Sequence, residues 1–285
     1  MSLSILVVTY NCSLNRSQTI RSLCTSKVRF DGVRLCIWNN GPKEITVEAE
    51  MLEALREKGF EVTIKQTPWN APLSWIYNYF IEKYPSDRYV ILDHDSVLSD
   101  EYMQYIVEDE EAFVGMPIIK ANGASRFPRV KEHFSIGPYT KRDKVRSVGS
   151  GLLISQEAIG TIKDSYGDVF DENFALYGVD TSFFSRICKL GLAEKLQSIP
   201  AIEHSLSRFE VEGKEIKEFR QIERSYDFGL MLRHYPTLGR VRKLIKQMYK
   251  SLFNKNKVLI IKALKAFIQG CHERCKQPRL DTLIE

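Results

Sequence analysis

Short apolar runs alternate with amphipathic stretches through the first hundred residues. The runs are rich in β-branched or aromatic residues and end in polar residues or turn signals, which predicts buried strands over 4–9, 34–38, 60–65 and 89–92. Between them, the spacing of apolar residues predicts helices over 14–24, 47–58 and 73–83. Strands alternating with helices at this spacing form right-handed βαβ units, so this half predicts an α/β nucleotide-binding domain with a parallel sheet.

The next hundred residues are less regular. A helix over 101–108 is followed by a strand over 112–119, a strand over 147–154, a helix over 181–190 and a last strand over 199–204. Gly149-Ser150-Gly151 begins the second of these strands, where glycine either lets the backbone approach a ligand or forms a bulge. The polar and basic stretch 122–144 is predicted to be a loop, either functional or a solvated surface segment.

Two carboxylates, Asp93 and Asp95, stand directly after the predicted strand 89–92. In open α/β sheets, ligands bind beyond the carboxyl ends of the strands. Mg²⁺ is commonly held by one or two carboxylates while substrate phosphates complete its coordination shell. The pair therefore indicates a metal and phosphate site, although the same short pattern also occurs in acidic turns that simply end a strand.

Three further positions allow two interpretations each. Asp180 precedes a predicted helix, where an N-cap carboxylate contributes about 1 kcal/mol without any catalytic role. His204 ends the last predicted strand, and an isolated histidine is more often packed or exposed than a ligand. Cys271 and Cys275 flank His272, but without a second ligand pair they are better explained as unpaired thiols on a helix.

Composition indicates the class of protein and the compartment in which it works. A chain of 285 residues with 44% hydrophobic content can form one large domain, or a main domain with an appendage. The six cysteines are scattered, which suits free thiols in a reducing cytoplasm. The start lacks a basic segment before its short apolar run, and no stretch of about 18 apolar residues exists, so neither a signal peptide nor a membrane span is expected.

From Arg240 onward, basic residues greatly outnumber acidic ones and alternate with large apolar residues at helical spacing. Such amphipathic helices suit the surface of an anionic bilayer. Equally, their apolar side can pack on the rest of the chain or on a second subunit, which would make a homo-oligomer. A nucleic-acid partner is not expected, because no aromatic or base-reading motif accompanies the basic residues.

An ordered set of motifs covers roughly the first 205 residues. In sequence order, the motifs are Val7-Val8-Thr9-Tyr10-Asn11, Asn39-Asn40-Gly41, Asn70 with Asn78, Leu92-Asp93-His94-Asp95-Ser96, Gly149-Ser150-Gly151, Phe170-Asp171-Glu172, Tyr177-Gly178-Val179-Asp180 and His204. Together they resemble the family 2 glycosyltransferases of the GT-A fold. The Leu-Asp-X-Asp-Ser form is similar to the rhamnosyltransferase-like branch.

The resemblance implies a GT-A type α/β fold, with a nucleotide-binding mixed sheet flanked by helices and a C-terminal helical region. Residues 1–205 would form the catalytic domain, with the nucleotide-sugar half over about 1–100 and the acceptor half over about 101–205. Residues 206–285 would form the basic amphipathic region.

The resemblance also implies residue roles. The nucleotide would be bound by Thr9, Tyr10, Asn11, Asn39, Asn70, Asn78 and Asp93, with Asn39 at the position that contacts the base. Mg²⁺ or Mn²⁺ would be held by Asp95, the closer ligand, by Asp93 and by His204 as a third. Asp180 would be the general base, with Asp171 and Glu172 as substitutes.

The implied activity is that of an inverting, metal-dependent transferase. It would move rhamnose from dTDP-rhamnose, or another hexose from a UDP-sugar, to a glycan or lipid-linked glycan in bacterial O-antigen or capsule synthesis, in the cytoplasm or on the inner face of the membrane. Most relatives have Asp where this chain has Asn39, which leaves the base open, and many have an acid where it has Val179. The alternative is a catalytically inactive nucleotide- or glycan-binding protein of the same fold.

Overall fold

The computed structural model describes residues 1–108, 112–204, 213–251, 259–278 and 280. The strands are β1 (Leu3–Thr9), β2 (Arg34–Asn39), β3 (Glu61–Gln66), β4 (Arg88–Asp93), β5 (Ser96–Leu98), β6 (Val114–Ala121), β7 (Ala124–Phe127), β8 (Arg129–Val130), β9 (His133–Phe134), β10 (Val145–Arg146), β11 (Leu152–Ser155) and β12 (Leu196–His204). The α-helices are α1 (Gln18–Thr25), α2 (Ala49–Glu57), α3 (Leu73–Lys83), α4 (Asp100–Glu108), α5 (Gln156–Tyr166), α6 (Val179–Lys189), α7 (Lys214–His234), α8 (Leu238–Ser251) and α9 (Ile260–Gln269).

Most of the strands form one curved mixed sheet in the order β3-β2-β1-β4-β11-β6-β12-β5, with β7 paired to β6. The first four strands in this order are parallel, as the βαβ pattern predicts. β11 runs antiparallel to both β4 and β6, so the parallel arrangement does not extend into the second half. The predicted mixed α/β sheet flanked by helices is confirmed.

The central strands are buried on both faces because their apolar residues alternate between two helical layers. In β1, Leu6 and Val8 pack with α3, α5 and α6, whereas Ile5 and Val7 pack with α1, α2 and α4. Every residue of β1 is buried. Because the strands are apolar along their length, polar side chains lie at their carboxyl ends.

Two predicted boundaries are wrong for a local reason. α6 begins at Val179, not Thr181, because Gly178 takes a left-handed conformation with φ +89° and serves as the N-cap. Asp180 therefore lies in the first turn of the helix and is not its cap. The strand predicted over 147–154 is confined to β11, because Gly151, with φ +83°, still belongs to the preceding turn.

Several elements were not predicted. α5 follows β11 directly, with Ser155 as an N-cap that accepts a hydrogen bond from Ala158 N. The basic stretch 122–144 is not wholly loop, because it contains the short strands β7, β8 and β9. β5 is three residues long and too short to show a period, yet it helps to form the site described below.

The described part of the C-terminal region is helical, as predicted, and α7 packs on the face covered by α3 and α6. Tyr226, Leu230 and Met231 of α7 belong to the same buried cluster as Phe174 and Phe183. α9 packs along α7. Within the described residues, no helix combines the length and the apolar composition that crossing a bilayer requires.

Candidate active site

Asp93, Asp95 and His204 meet at the carboxyl end of β4. β4 ends at Asp93, the chain turns, and β5 pairs antiparallel with the end of β12, so that Ser96 stands opposite His204. This pairing brings together residues 108 positions apart in the sequence. His204 Nδ1 lies 3.4 Å from Asp95 Oδ1, and His204 Nε2 lies 3.9 Å from Asp93 Oδ2. One ligand atom from each residue lies within 4.8 Å of the others.

The backbone of the acidic turn is held by the start of α1. Ser17 Oγ donates a hydrogen bond of 2.9 Å to the His94 carbonyl, and Thr19 Oγ1 donates one of 2.5 Å to the Asp93 carbonyl. Thr19 N also donates to the His94 carbonyl at 3.2 Å. Because these carbonyls are fixed, the two carboxylates project from a rigid turn.

A chain of hydroxyl groups supports the histidine. Asp93 N donates to Ser150 Oγ at 3.0 Å, the Ser150 and Ser96 hydroxyls are 2.8 Å apart, and Ser96 Oγ lies 2.9 Å from His204 Nδ1. Metal-binding histidines usually donate their other ring N–H to such a partner. In the tautomer with the proton on Nδ1, Nε2 presents its lone pair toward Asp93.

The electrostatics of the turn favour a cation. The pKa of Asp93 is raised to about 6, chiefly because burial at the strand end penalises the charged carboxylate. Repulsion from Asp95 and Asp180 also raises this pKa, while His204 and His94 lower it. A divalent cation would relieve both the repulsion and the desolvation. Two carboxylates and an imidazole therefore fit Mg²⁺ or Mn²⁺ and leave coordination positions for phosphate oxygens.

Asp180 faces the same region from the start of α6. Its Oδ1 accepts a 2.7 Å hydrogen bond from Thr181 N. An added Cβ at Gly149 would lie 3.9 Å from the Asp180 Cβ, so a glycine turn borders this residue. The charge of Asp180 reaches both Asp93 and the buried Tyr77, whose pKa is raised mainly by burial and further by both carboxylates. The site thus contains two acidic groups on separate elements.

Asp171 is buried in an ion-pair network. Tyr235 donates a 2.7 Å hydrogen bond to its Oδ2, and the Arg186 guanidinium lies 3.6 Å from the same oxygen. Arg186 also pairs with Asp168 at 2.5 Å. Glu172 is partly exposed and accepts a 3.2 Å hydrogen bond from Asn78. Because Asp171 is buried and bonded in this network, Asp180 remains the predicted general base.

The loops after β1, β2 and β3 are joined by hydrogen bonds next to the acidic turn. Asn11 N donates to the Gly41 carbonyl at 2.6 Å, and the Asn40 amide donates to Asn70 Oδ1 at 3.3 Å. Thr9 Oγ1 is buried at the end of β1 without a hydrogen-bond partner among the described residues. An orphaned hydroxyl at this position is a candidate ligand contact.

Other predicted nucleotide residues differ in their surroundings. Tyr10 is 43% exposed, which leaves its ring available. Asn39 is fully buried, and its amide donates to the Lys43 carbonyl and to Gln66 Oε1, both at 2.8 Å. Asn78 does not join these loops. Its side chain is bonded to the backbone of Phe170 and to Glu172 Oε1.

Sequence reasoning missed four residues that hold the acidic turn and His204 in place: Ser17, Thr19, Ser96 and Ser150. Ser96 follows Asp95 and Ser150 stands between two glycines, so both lie inside the motifs given above. A hydroxyl in such a position was the available sequence signal. Ser17 and Thr19 gave no signal, because their contacts depend on how α1 packs on the turn.

Comparison with known proteins assigns the chain to a family. Residues 4–164, more than half of the chain, match the family model for glycosyl transferase family 2. No curated protein matches the chain in sequence.

Among solved structures, S. aureus TarS residues 1–349 in complex with UDP is similar, with a TM-score of 0.56 and 16% identity, over 96% of this chain and 82% of that one. The same fragment with UDP-GlcNAc gives a TM-score of 0.55 and 16% identity, over 96% and 83%. A longer TarS structure has a TM-score of 0.55 and 15% identity over 96% of this chain, and this chain spans only 50% of that structure's length. At this identity the likeness shows the fold.

Proposed function

The chain belongs to glycosyl transferase family 2, and from that premise we propose that it is a metal-dependent, inverting glycosyltransferase that uses a nucleotide sugar. The observation that carries the proposal is the cluster of Asp93, Asp95 and His204 at the end of a parallel strand, with Asp180 on a separate element of the same region.

On the donor side, Asp95, Asp93 and His204 would hold Mg²⁺ or Mn²⁺, and Asp93 would also address the ribose. When bound, the cation neutralises the diphosphate leaving group as a Lewis acid. Ser96 orients His204, and the start of α1 fixes the turn, so the ligands need little reorganisation. Thr9, Tyr10, Asn11 and Asn70 line the nucleotide side, where Asn39 holds the loop that follows β2.

On the acceptor side, Asp180 would take the proton from the attacking hydroxyl. A single displacement needs positive charge behind the leaving group and a proton acceptor on the opposite face of the sugar. Two acidic groups on different elements can meet both requirements, whereas one carboxylate cluster cannot. Asp180 is partly exposed and anchored by Thr181 N, which orients its carboxylate.

For the donor, we propose dTDP-rhamnose or a UDP-hexose, and for the acceptor a glycan or lipid-linked glycan of a bacterial surface polysaccharide. The UDP and UDP-GlcNAc bound in the TarS structures support a pyrimidine nucleotide. The rhamnosyltransferase-like form of the Asp93 motif supports rhamnose. The proposed location is the cytoplasm, including the inner face of the membrane.

The test is release of nucleoside diphosphate from a panel of nucleotide sugars with Mn²⁺. We expect slow release by the wild type, abolished by Asp95→Ala and lowered about 10²- to 10⁴-fold in kcat by Asp180→Asn. Asp164→Asn, at an exposed aspartate on α5, is the matched control and should leave the rate unchanged. Nucleotide binding without release from any donor would favour the alternative, an inactive binding protein of the same fold.

A further inference from the structure

α9 carries its apolar residues in an unusual arrangement. Its small residues face inward, with Ala263 2% and Ala266 0% exposed, while Ile261 is 83% and Ile268 74% exposed. Leu264 and Phe267 are also exposed. A surface helix of a globular protein normally buries its large apolar residues and exposes polar ones. The outward face of α9 is therefore apolar in a position that calls for a covering partner.

This face belongs to a fixed element. α7 approaches α9 so closely that a Cβ at Gly229 would meet the Ala263 carbonyl. Leu259 N donates to Ser225 Oγ at 2.9 Å at the start of α9. At its end, the Arg233 guanidinium donates to the Phe267 and Ile268 carbonyls at 2.6 and 3.0 Å. Both ends of α9 are thus tied to α7 by polar contacts, so the apolar face is a built surface.

α8 adds a second exposed stripe of the same kind. Leu244 packs inward against Phe228 and Ala263. Leu238, Ile245 and Tyr249 are 78%, 62% and 64% exposed. Their spacing of seven and four residues places them along one line of the helix.

The charged residues of both helices are all basic, and Glu273, just after α9, pairs with one of them, Lys265. The sequence of α8 contains five lysines and arginines and that of α9 contains two, and neither contains an acidic residue. On α8, Arg242 and Lys246 are exposed beside the apolar stripe, and on α9 the half-buried Lys262 lies next to Ile261. Large apolar residues flanked by cations complement an anionic phospholipid surface, where the apolar groups enter the interface and the cations meet the headgroups.

We propose that the outward faces of α8 and α9, here called the α8–α9 face, dock on an anionic phospholipid bilayer. The attachment is peripheral. Membrane docking rests on the proposed function only in that it suggests a lipid-linked acceptor. Membrane binding itself does not require the transferase reaction and is measured without any sugar.

The test is flotation of the full chain with vesicles of phosphatidylcholine alone or with added phosphatidylglycerol. Wild type is expected to float with the anionic vesicles, less so at high salt. Ile261→Ser combined with Ile268→Ser should lower the partition coefficient about tenfold or more. Ile136→Ser is the matched control, at an isoleucine 56% exposed outside the C-terminal region, and should bind as wild type does. Lys246→Glu combined with Lys262→Glu should reduce binding to anionic vesicles independently, without touching an apolar residue.

Wild type that stays at the bottom with both vesicles would overturn the proposal, as would equal flotation of the isoleucine variant. A dimer in light scattering that the isoleucine variant dissociates, without vesicle binding by wild type, would assign the face to a second copy instead. Release of nucleoside diphosphate in solution should be the same in wild type and in this variant. Loss of vesicle binding and loss of transferase activity are therefore distinguishable.

Discussion

Removing the Ser96 hydroxyl tests whether His204 is a metal ligand whose orientation depends on its hydrogen bond with Ser96. Ser96 is fully buried and lies 2.9 Å from His204 Nδ1, so in Ser96→Ala bulk water cannot replace the lost contact. The imidazole then loses the partner that fixes its orientation. The three ligand residues themselves are unchanged.

The magnitude follows from the role of such partners. Loss of a hydrogen-bond partner behind a metal ligand weakens metal affinity by about 10- to 100-fold, which corresponds to about 1.4 to 2.8 kcal/mol. The assay is calorimetric titration of Mn²⁺ into protein saturated with UDP. Ser4→Ala is the matched control, because Ser4 is also buried and bonded to a serine, Ser86, but lies near the amino end of β1.

We expect the Mn²⁺ affinity of Ser96→Ala to fall within that range and that of Ser4→Ala to stay at the wild-type value. The thermal unfolding temperature of both variants serves as the folding check. If Ser96→Ala is folded and binds Mn²⁺ as tightly as wild type, His204 is not a ligand oriented by Ser96, and the argument for a three-residue metal site is refuted.

Two further predictions concern stability and pH. Arg186→Met leaves the buried Asp171 without its cation and should lower the free energy of unfolding by about 3 to 5 kcal/mol in urea denaturation. Arg29→Met, in an exposed pair, is the control and should change this free energy by less than about 1 kcal/mol. Equal effects of the two substitutions would contradict the buried network. The pKa of Asp93 is raised to about 6, so the carboxyl is neutral below that pH and charged above it. Mn²⁺ affinity should therefore fall as the pH drops below 6, by about tenfold per unit for one competing proton, and a titration on both sides of pH 6 that shows no change would contradict the assigned pKa.

Local patterns predict the first part of the fold well. β1 to β4 are apolar runs that each end in a polar residue, and parallel strands place those ends at one edge of the sheet. Asp93 and Asp95 could be identified for that reason. α5 is not predicted, although Ser155 caps its N-terminus by accepting a hydrogen bond from Ala158 N.

Contacts between distant segments could not be predicted by local reasoning. His204 joins Asp95 only because β5 turns back and pairs with β12, and a three-residue strand carries no periodicity. The position of Asp180 within α6 depends on Gly178, which has a left-handed φ of +89° and leaves no room for a Cβ beside the Phe174 ring and Asp227 Oδ1. Whether the basic helices pack on the protein or bind a membrane could not be predicted from their sequence. In the structure, α9 packs on α7 through Ala263 and exposes Ile261 on its other side.

The central claim is that Asp93, Asp95 and His204 together hold the cation that serves the nucleotide diphosphate. Anomalous diffraction at the manganese edge, from crystals grown with UDP and Mn²⁺, tests it most directly. We expect one strong peak among the two carboxylates and the His204 imidazole, in contact with the diphosphate. A peak elsewhere, or bound UDP with no peak at the end of β4, would contradict the claim.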